Sequence, residues 1–147
     1  MDSQKGIDYK DRIVFGENEI TKVADYLYDH LNDCKIFAFS GPLGAGKTTL
    51  IRELLRRSGV KERITSPTFV YVNRYKNSEE QIFYHFDLYR IERVSDFLAA
   101  GFDEYLQQPN GKVFIEWPEV IDSLLKDKCC YIMLDYYNDK RELRIKK

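Results

Sequence analysis

The chain has 147 residues and a mass of 17.4 kDa, 44% of them hydrophobic and 32% charged, with 23 Lys and Arg against 24 Asp and Glu for a formal charge of -1. At this length folding buries roughly 68–70% of the extended surface, so one core is sufficient and residues 1–147 are expected to form a single domain. The balance excludes a long disordered or polycationic design, and any nucleic-acid surface must be local.

The first twelve residues alternate charges and lack the apolar stretch of a signal peptide, which predicts a cytoplasmic protein. Asn18 to Asn32 carries Ile20, Val23, Ala24, Leu27, Tyr28 and Leu31 at helical spacing, with Asn18 as the expected cap. Ile36 to Ser40 is a short apolar run bounded by Gly41 and reads as a buried strand. The uncharged window from Ile36 to Gly46 contains three glycines and a proline and is too short to span a bilayer. A helix is expected from Gly46 to about Ser58, stopped by Gly59.

Phe69 to Tyr75 and Gln81 to Asp87 are β-rich and flank the polar turn Lys76 to Glu80, which predicts a hairpin. Val94 to Ala100 reads as helix, and Lys112 to Glu116 as a strand after Asn110-Gly111. Cys129 to Tyr136 and Arg141 to Ile145 read as a closing hairpin around Asn138-Asp139. The expected fold is α/β: a P-loop NTPase-like mixed sheet, parallel at its core with antiparallel hairpins, flanked by helices. Cys34, Cys129 and Cys130 are odd in number and show no CxxC spacing, so they are expected to be reduced core or strand residues.

Gly41-Pro42-Leu43-Gly44-Ala45-Gly46-Lys47-Thr48 satisfies G-x-x-x-x-G-K-[ST] between a strand and a helix. Gly41, Gly44 and Gly46 let the backbone curl so that successive N–H groups, with the helix N-terminus behind them, face phosphate oxygens. Lys47 is expected to bridge β- and γ-phosphates and Thr48 to ligate Mg²⁺, making ATP or GTP the expected ligand. Thr49 follows as a weaker contact for the α-phosphate. Asp87 and Glu116 each end an apolar run, and either could serve as metal ligand or orient attacking water; the residues alone do not rank them. Thr68, in the loop from Thr65, stands where nucleotide switches place a γ-phosphate-sensing threonine.

Four phrases occur in order: SGPLGAGKTT at 40–49, SPTF at 66–69, HFDLYR at 85–90 and EWPE at 116–119. Together they resemble the TsaE (YjeE) family of tRNA threonylcarbamoyladenosine biosynthesis proteins, over nearly the whole chain. The resemblance implies a Mg²⁺-dependent ATPase that acts with TsaB and TsaD in forming N6-threonylcarbamoyladenosine at position 37 of tRNAs reading ANN codons, without itself being the transferase. It implies that Leu43, Gly44, Ala45, Gly46, Lys47 and Thr48 hold ATP phosphates and that Thr48 and Glu116 contact Mg²⁺. Asp87 would be the second acid and Thr68 the switch threonine. Trp117 would shape the nucleotide site, with Glu17 and Thr21 near the base. Pro42 departs from the family pattern, where this position is often acidic, and it removes one N–H from the loop.

Residues 47–63 hold six basic and two acidic side chains. They read first as a solvated face and alternatively as a surface for tRNA or an acidic partner. His85 is expected to support the Asp87 strand, since no second His or Cys stands at ligand spacing. Two other functions remain open: a small-molecule or nucleoside P-loop kinase, and a nucleotide-gated binding module without significant hydrolysis.

Overall fold

The computed structural model describes residues 11–125 and 129–147. Seven strands form one sheet: β1 (Asp11–Phe15), β2 (Ile36–Ser40), β3 (Val72–Lys76), β4 (Ile82–Asp87), β5 (Gly111–Glu116), β6 (Cys129–Tyr137) and β7 (Lys140–Lys146), in the order β1-β7-β6-β2-β5-β4-β3. The pairs β2–β5, β2–β6 and β4–β5 are parallel. The pairs β1–β7, β3–β4 and β6–β7 are antiparallel. This is the expected mixed sheet, with β2 at its centre.

Strand side chains alternate between faces, and the sheet uses both. Phe37, Phe39, Phe83 and Phe114 are buried on one face with Val23 and Leu27 of helix α1 (Ile20–Tyr28) and Leu50, Ile51, Leu54 and Leu55 of helix α2 (Lys47–Arg57). Ile36, Ala38, Phe86, Val113 and Ile115 are buried on the other with Phe97 of helix α3 (Val94–Ala99). Covering both faces explains why β2 reads as a continuous apolar run, with every residue buried.

Several boundaries differ from the sequence reading. Asn18 does not cap α1; a 3-10 turn over Glu17–Glu19 precedes the helix, and the Glu19 carboxylate accepts from the Gly16 N–H at 2.8 Å. The helix ends at Tyr28 rather than Asn32, passing into turns. Phe69 and Val70 are exposed and lie outside β3, because the Pro67 carbonyl accepts from both Val70 N–H and Tyr71 N–H and closes a turn. Strand β1 was not expected. It is an edge strand whose partner β7 lies more than a hundred residues on, at Asp11 opposite Ile145, and only its Phe15 is buried.

The cysteine expectation is corrected as well. Cys34 and Cys130 form a disulfide, 5.9 Å apart at Cα across 96 residues of sequence, while Cys129 is free and buried. Parallel pairing of Phe37 with Cys130 brings the chain before β2 beside β6, a neighbourhood that residue spacing does not reveal. Among the described residues no helix is long and apolar enough to cross a membrane.

Candidate functional site

The carboxyl ends of the parallel strands β2, β4 and β5 meet at one edge of the sheet, where open α/β sheets bind ligands. Chain reversal after β2 depends on Gly41, whose φ is +139°; a Cβ there would stand 1.9 Å from the Leu134 carbonyl oxygen. Gly46, left-handed at φ 109°, turns the loop into the first residue of α2. The 41–48 segment therefore has the strand–loop–helix setting that its pattern requires.

A cleft of about 410 Å³ opens beside this loop. Leu43, Gly44, Gly46, Lys47, Thr48 and Thr49 line one wall. Thr68, Asp87, Glu116 and Trp117 line the other. The Thr48 hydroxyl lies 2.9 and 2.8 Å from the two Glu116 oxygens, so the first turn of α2 and the end of β5 touch. Glu116 is 3% exposed, and its Oε2 is also 2.6 Å from His85 Nε2. Asp87 stands opposite Glu116 in the β4–β5 register. Its Oδ2 accepts from the Thr68 hydroxyl at 2.9 Å and its Oδ1 from the Tyr89 N–H at 3.1 Å. The two acids left unranked by sequence thus occupy different places: Glu116 against the phosphate loop, Asp87 against the SPTF segment.

Lys47 is buried, with its ammonium hydrogen-bonded to the Gly41 carbonyl and 3.4 Å from the Trp117 ring centroid. Burial pulls its pKa below the ordinary lysine value, opposed by the charges of Glu116, Glu119 and Asp87. Trp117 holds a left-handed backbone at φ 59°, ψ 57°, an unfavourable conformation for a residue with a Cβ. Its ring also packs on Tyr89, with centroids 5.0 Å apart. Such strain is tolerated where surrounding structure imposes it. Pro42 lacks an N–H, but its carbonyl accepts from Ala45 N–H at 3.3 Å and lies 3.5 Å from Lys47 Nζ.

Ala45, within the loop, is buried and lines a side cavity of about 120 Å³ together with Glu17, Thr49 and Arg141. Glu17 therefore adjoins the phosphate loop. Thr21 does not line either cavity; it is exposed, and its carbonyl accepts from Arg57 Nη2 at 3.0 Å. Of the basic stretch, Arg57 pairs with Asp25 and Glu53, and Arg56 donates to the carbonyls of Val60 and Glu62, which favours the solvated-face reading for both.

Tyr89, Arg90 and Arg141 border the cavities without having been singled out. The first two belong to HFDLYR and could have been taken with Asp87. Arg141 carries no local signal and arrives through the β6–β7 hairpin.

Among the described residues no group of three His, Cys, Asp or Glu could hold a metal ion. The hard oxygens of Thr48 and Glu116, with Asp87 nearby, instead fit Mg²⁺, which commonly takes one or two protein carboxylates and completes its shell with water and substrate phosphates.

Comparison with known proteins places this geometry in context. The sequence model of the family described as "Threonylcarbamoyl adenosine biosynthesis protein TsaE" matches residues 15–144. The tRNA threonylcarbamoyladenosine biosynthesis protein TsaE of Rickettsia felis is 36% identical over 133 residues, 89% of this chain and 75% of that protein. The protein of the same name from Aquifex aeolicus is 33% identical, over 92% of this chain and 95% of its own length. The crystal structure of Bacillus subtilis YdiB superposes with a TM-score of 0.68 and 25% identity, covering 95% of this chain and 85% of that one.

Proposed function

The chain belongs to the TsaE family, and from that premise we propose that it is the ATP-hydrolysing component of the machinery that forms N6-threonylcarbamoyladenosine in tRNA. It acts in the cytoplasm as one P-loop domain beside TsaB and TsaD, and the threonylcarbamoyl transfer belongs to those partners. tRNA is met through the complex rather than through Arg56 and Arg57, which are engaged within the chain.

The observation that carries this reading is the contact between Thr48 and Glu116 across the cleft, with Asp87 in register beside it. The backbone N–H groups of Leu43 to Thr48 receive the phosphates of ATP, and Lys47 leaves the Trp117 face to neutralise the β- and γ-oxygens. Thr48 and Glu116 would hold Mg²⁺, which supplies charge neutralisation on the phosphates. Asp87 orients the lytic water, and Thr68 couples the SPTF segment to the state of that site through its bond to Asp87. Thr49 meets the α-phosphate, and Glu17 borders the nucleoside end. The same Thr68–Asp87 bond supports the second reading, a nucleotide-gated module in which ATP orders this segment without turnover.

Replacing Glu116 by Ala separates the two. With the purified chain, TsaB, TsaD and tRNA in one tube, Glu116→Ala is expected to retain ATP binding, lower hydrolysis by about 100-fold or more, and abolish multiple-turnover modification. Full modification by the non-hydrolysing variant would select the gated module. Transfer of phosphate to a nucleoside instead of water would select a kinase.

A further inference from the structure

His85 is 0% exposed, sits in the middle of β4, and belongs to neither the phosphate loop nor the cleft lining. It occupies the same sheet face as Phe83 and Asp87, because strand side chains alternate. From there it reaches diagonally to β5, with Nε2 2.6 Å from Glu116 Oε2. An ionised carboxylate has no hydrogen to give, so beside one this contact is a hydrogen bond only when His85 Nε2 carries the hydrogen. The other ring nitrogen, Nδ1, is buried with no hydrogen-bond partner among the described residues.

That unpartnered nitrogen is informative. A buried polar atom left unsatisfied carries a desolvation cost, and an apolar side chain of similar size would fill the position without it. Packing alone therefore does not account for histidine here. What histidine supplies, and Phe or Leu would not, is a rigid donor aimed at one oxygen of Glu116. The Thr48 hydroxyl lies within 2.9 Å of both Glu116 oxygens and by itself does not distinguish them. His85 bonds Oε2 alone and so fixes which way the carboxylate plane faces.

We propose that His85 is a positioning residue that locks Glu116 in the orientation facing Thr48 and the phosphate loop. This rests on the reading of Glu116 as an acid of the nucleotide site. The arrangement follows the general rule that groups behind a ligating or catalytic side chain orient it, and that their loss costs roughly 10- to 100-fold in metal affinity or activity.

Three variants test the geometry. In His85→Gln the amide nitrogen is the same number of bonds from Cα as Nε2 and can still donate to Glu116. In His85→Asn it falls at the Nδ1 position and cannot. His85→Leu removes the donor. ADP affinity is expected to stay within about threefold in all three, because the phosphate loop is intact. Turnover of ATP, and affinity for Mn²⁺ measured by EPR with ADP present, should fall by about tenfold or more in the Asn and Leu variants and recover to within about threefold of wild type in Gln. Equal losses in Gln and Asn, or wild-type values in Leu, would overturn the proposal; should Leu fail to fold, the Gln and Asn pair decides alone. A second readout needs no turnover: long-range ¹H–¹⁵N NMR on a chain with only two histidines should find the hydrogen on His85 Nε2. A bare Nε2 overturns the inference. If the wild-type chain hydrolyses no ATP, the ATPase reading fails, while the Mn²⁺ and NMR results still decide the role of His85.

Discussion

Each end of the sheet sets a lysine beside a cleft, Lys47 buried and Lys112 half-buried, but the surroundings of the two differ. At the carboxyl ends of the parallel strands Lys47 faces Glu116, Glu119 and Asp87, and the cleft is bounded by left-handed backbone at Gly46 and Trp117. At the opposite end a larger cleft of about 510 Å³ contains Lys112, whose ammonium donates to the carbonyls of Leu31 and Cys34. Lys35 beside it donates to the carbonyls of Gln108 and Gly111. Burial lowers the pKa of both Lys47 and Lys112; three acids oppose this at Lys47, whereas at Lys112 the charge of Lys35 reinforces it and Asp33 alone opposes it. Volume is thus a poor guide. Three acids converge on Lys47 at the carboxyl end, while the other end uses its lysines to tie loops together.

The largest test of this contrast is to remove each lysine. Lys47→Ala is expected to lower ATP hydrolysis by about 10²–10³-fold, as for loss of one preorganised transition-state donor, with little change in Tm. Lys112→Met should do the reverse: turnover unchanged, and stability in urea reduced by about 2 kcal/mol for the lost charged hydrogen bonds. Loss of turnover in Lys112→Met would dissolve the distinction between the ends.

Gly41→Ala tests whether the phosphate loop is held by the sheet itself. Its Cβ would strike the Leu134 carbonyl from a φ that disfavours any side chain. About 3 kcal/mol of destabilisation is expected, read as a fall in Tm of about 6–12 °C, with nucleotide affinity falling too. A folded variant of wild-type Tm would show that β6 yields more readily than the geometry suggests.

Trp117 is the single tryptophan, so its emission isolates the carboxyl end of the parallel strands. Adding ATP should change its intensity as Lys47 leaves the ring, and Lys47→Ala should abolish that change. An identical response in the variant would place the reporter's sensitivity elsewhere, at Tyr89 or the nucleotide.

The smallest effect concerns the quiet end, where burial pushes the Cys129 thiol up to about 12 from an ordinary value near 9. A raised folded value means that the unfolded chain loses this proton first, so the stabilising contribution is complete below pH 9 and declines as pH rises towards 12. Wild type should lose up to about 1 kcal/mol more than Cys129→Ala between pH 9 and 10, measured by urea unfolding at each pH. Parallel pH profiles would refute the assignment.

Much of the candidate site was legible in the residues because its signals are local. The 41–48 pattern announces a loop between strand and helix, and Asp87 and Glu116 announce themselves by closing apolar runs. Gly59 stops α2, at φ 94°, for reasons contained within one turn of chain. Phe69 and Val70 misled the reading because their β-forming side chains were overruled by a turn onto Pro67.

What the amino-acid sequence determined by itself was the strand–loop–helix setting of residues 41–48, the α/β class, the helices α2 and α3, and the family, since each rests on short-range pattern or on phrases of contiguous residues. Tertiary structure alone decided that Glu116 meets Thr48 while Asp87 meets Thr68, that His85 stands behind Glu116, that Cys34 bonds Cys130, and that Asp11–Phe15 is a strand at all. Those facts depend on which strands lie side by side and in what register. Pairings between residues tens of positions apart are set by the packing of two helical layers on one sheet, not by the preferences of any local segment.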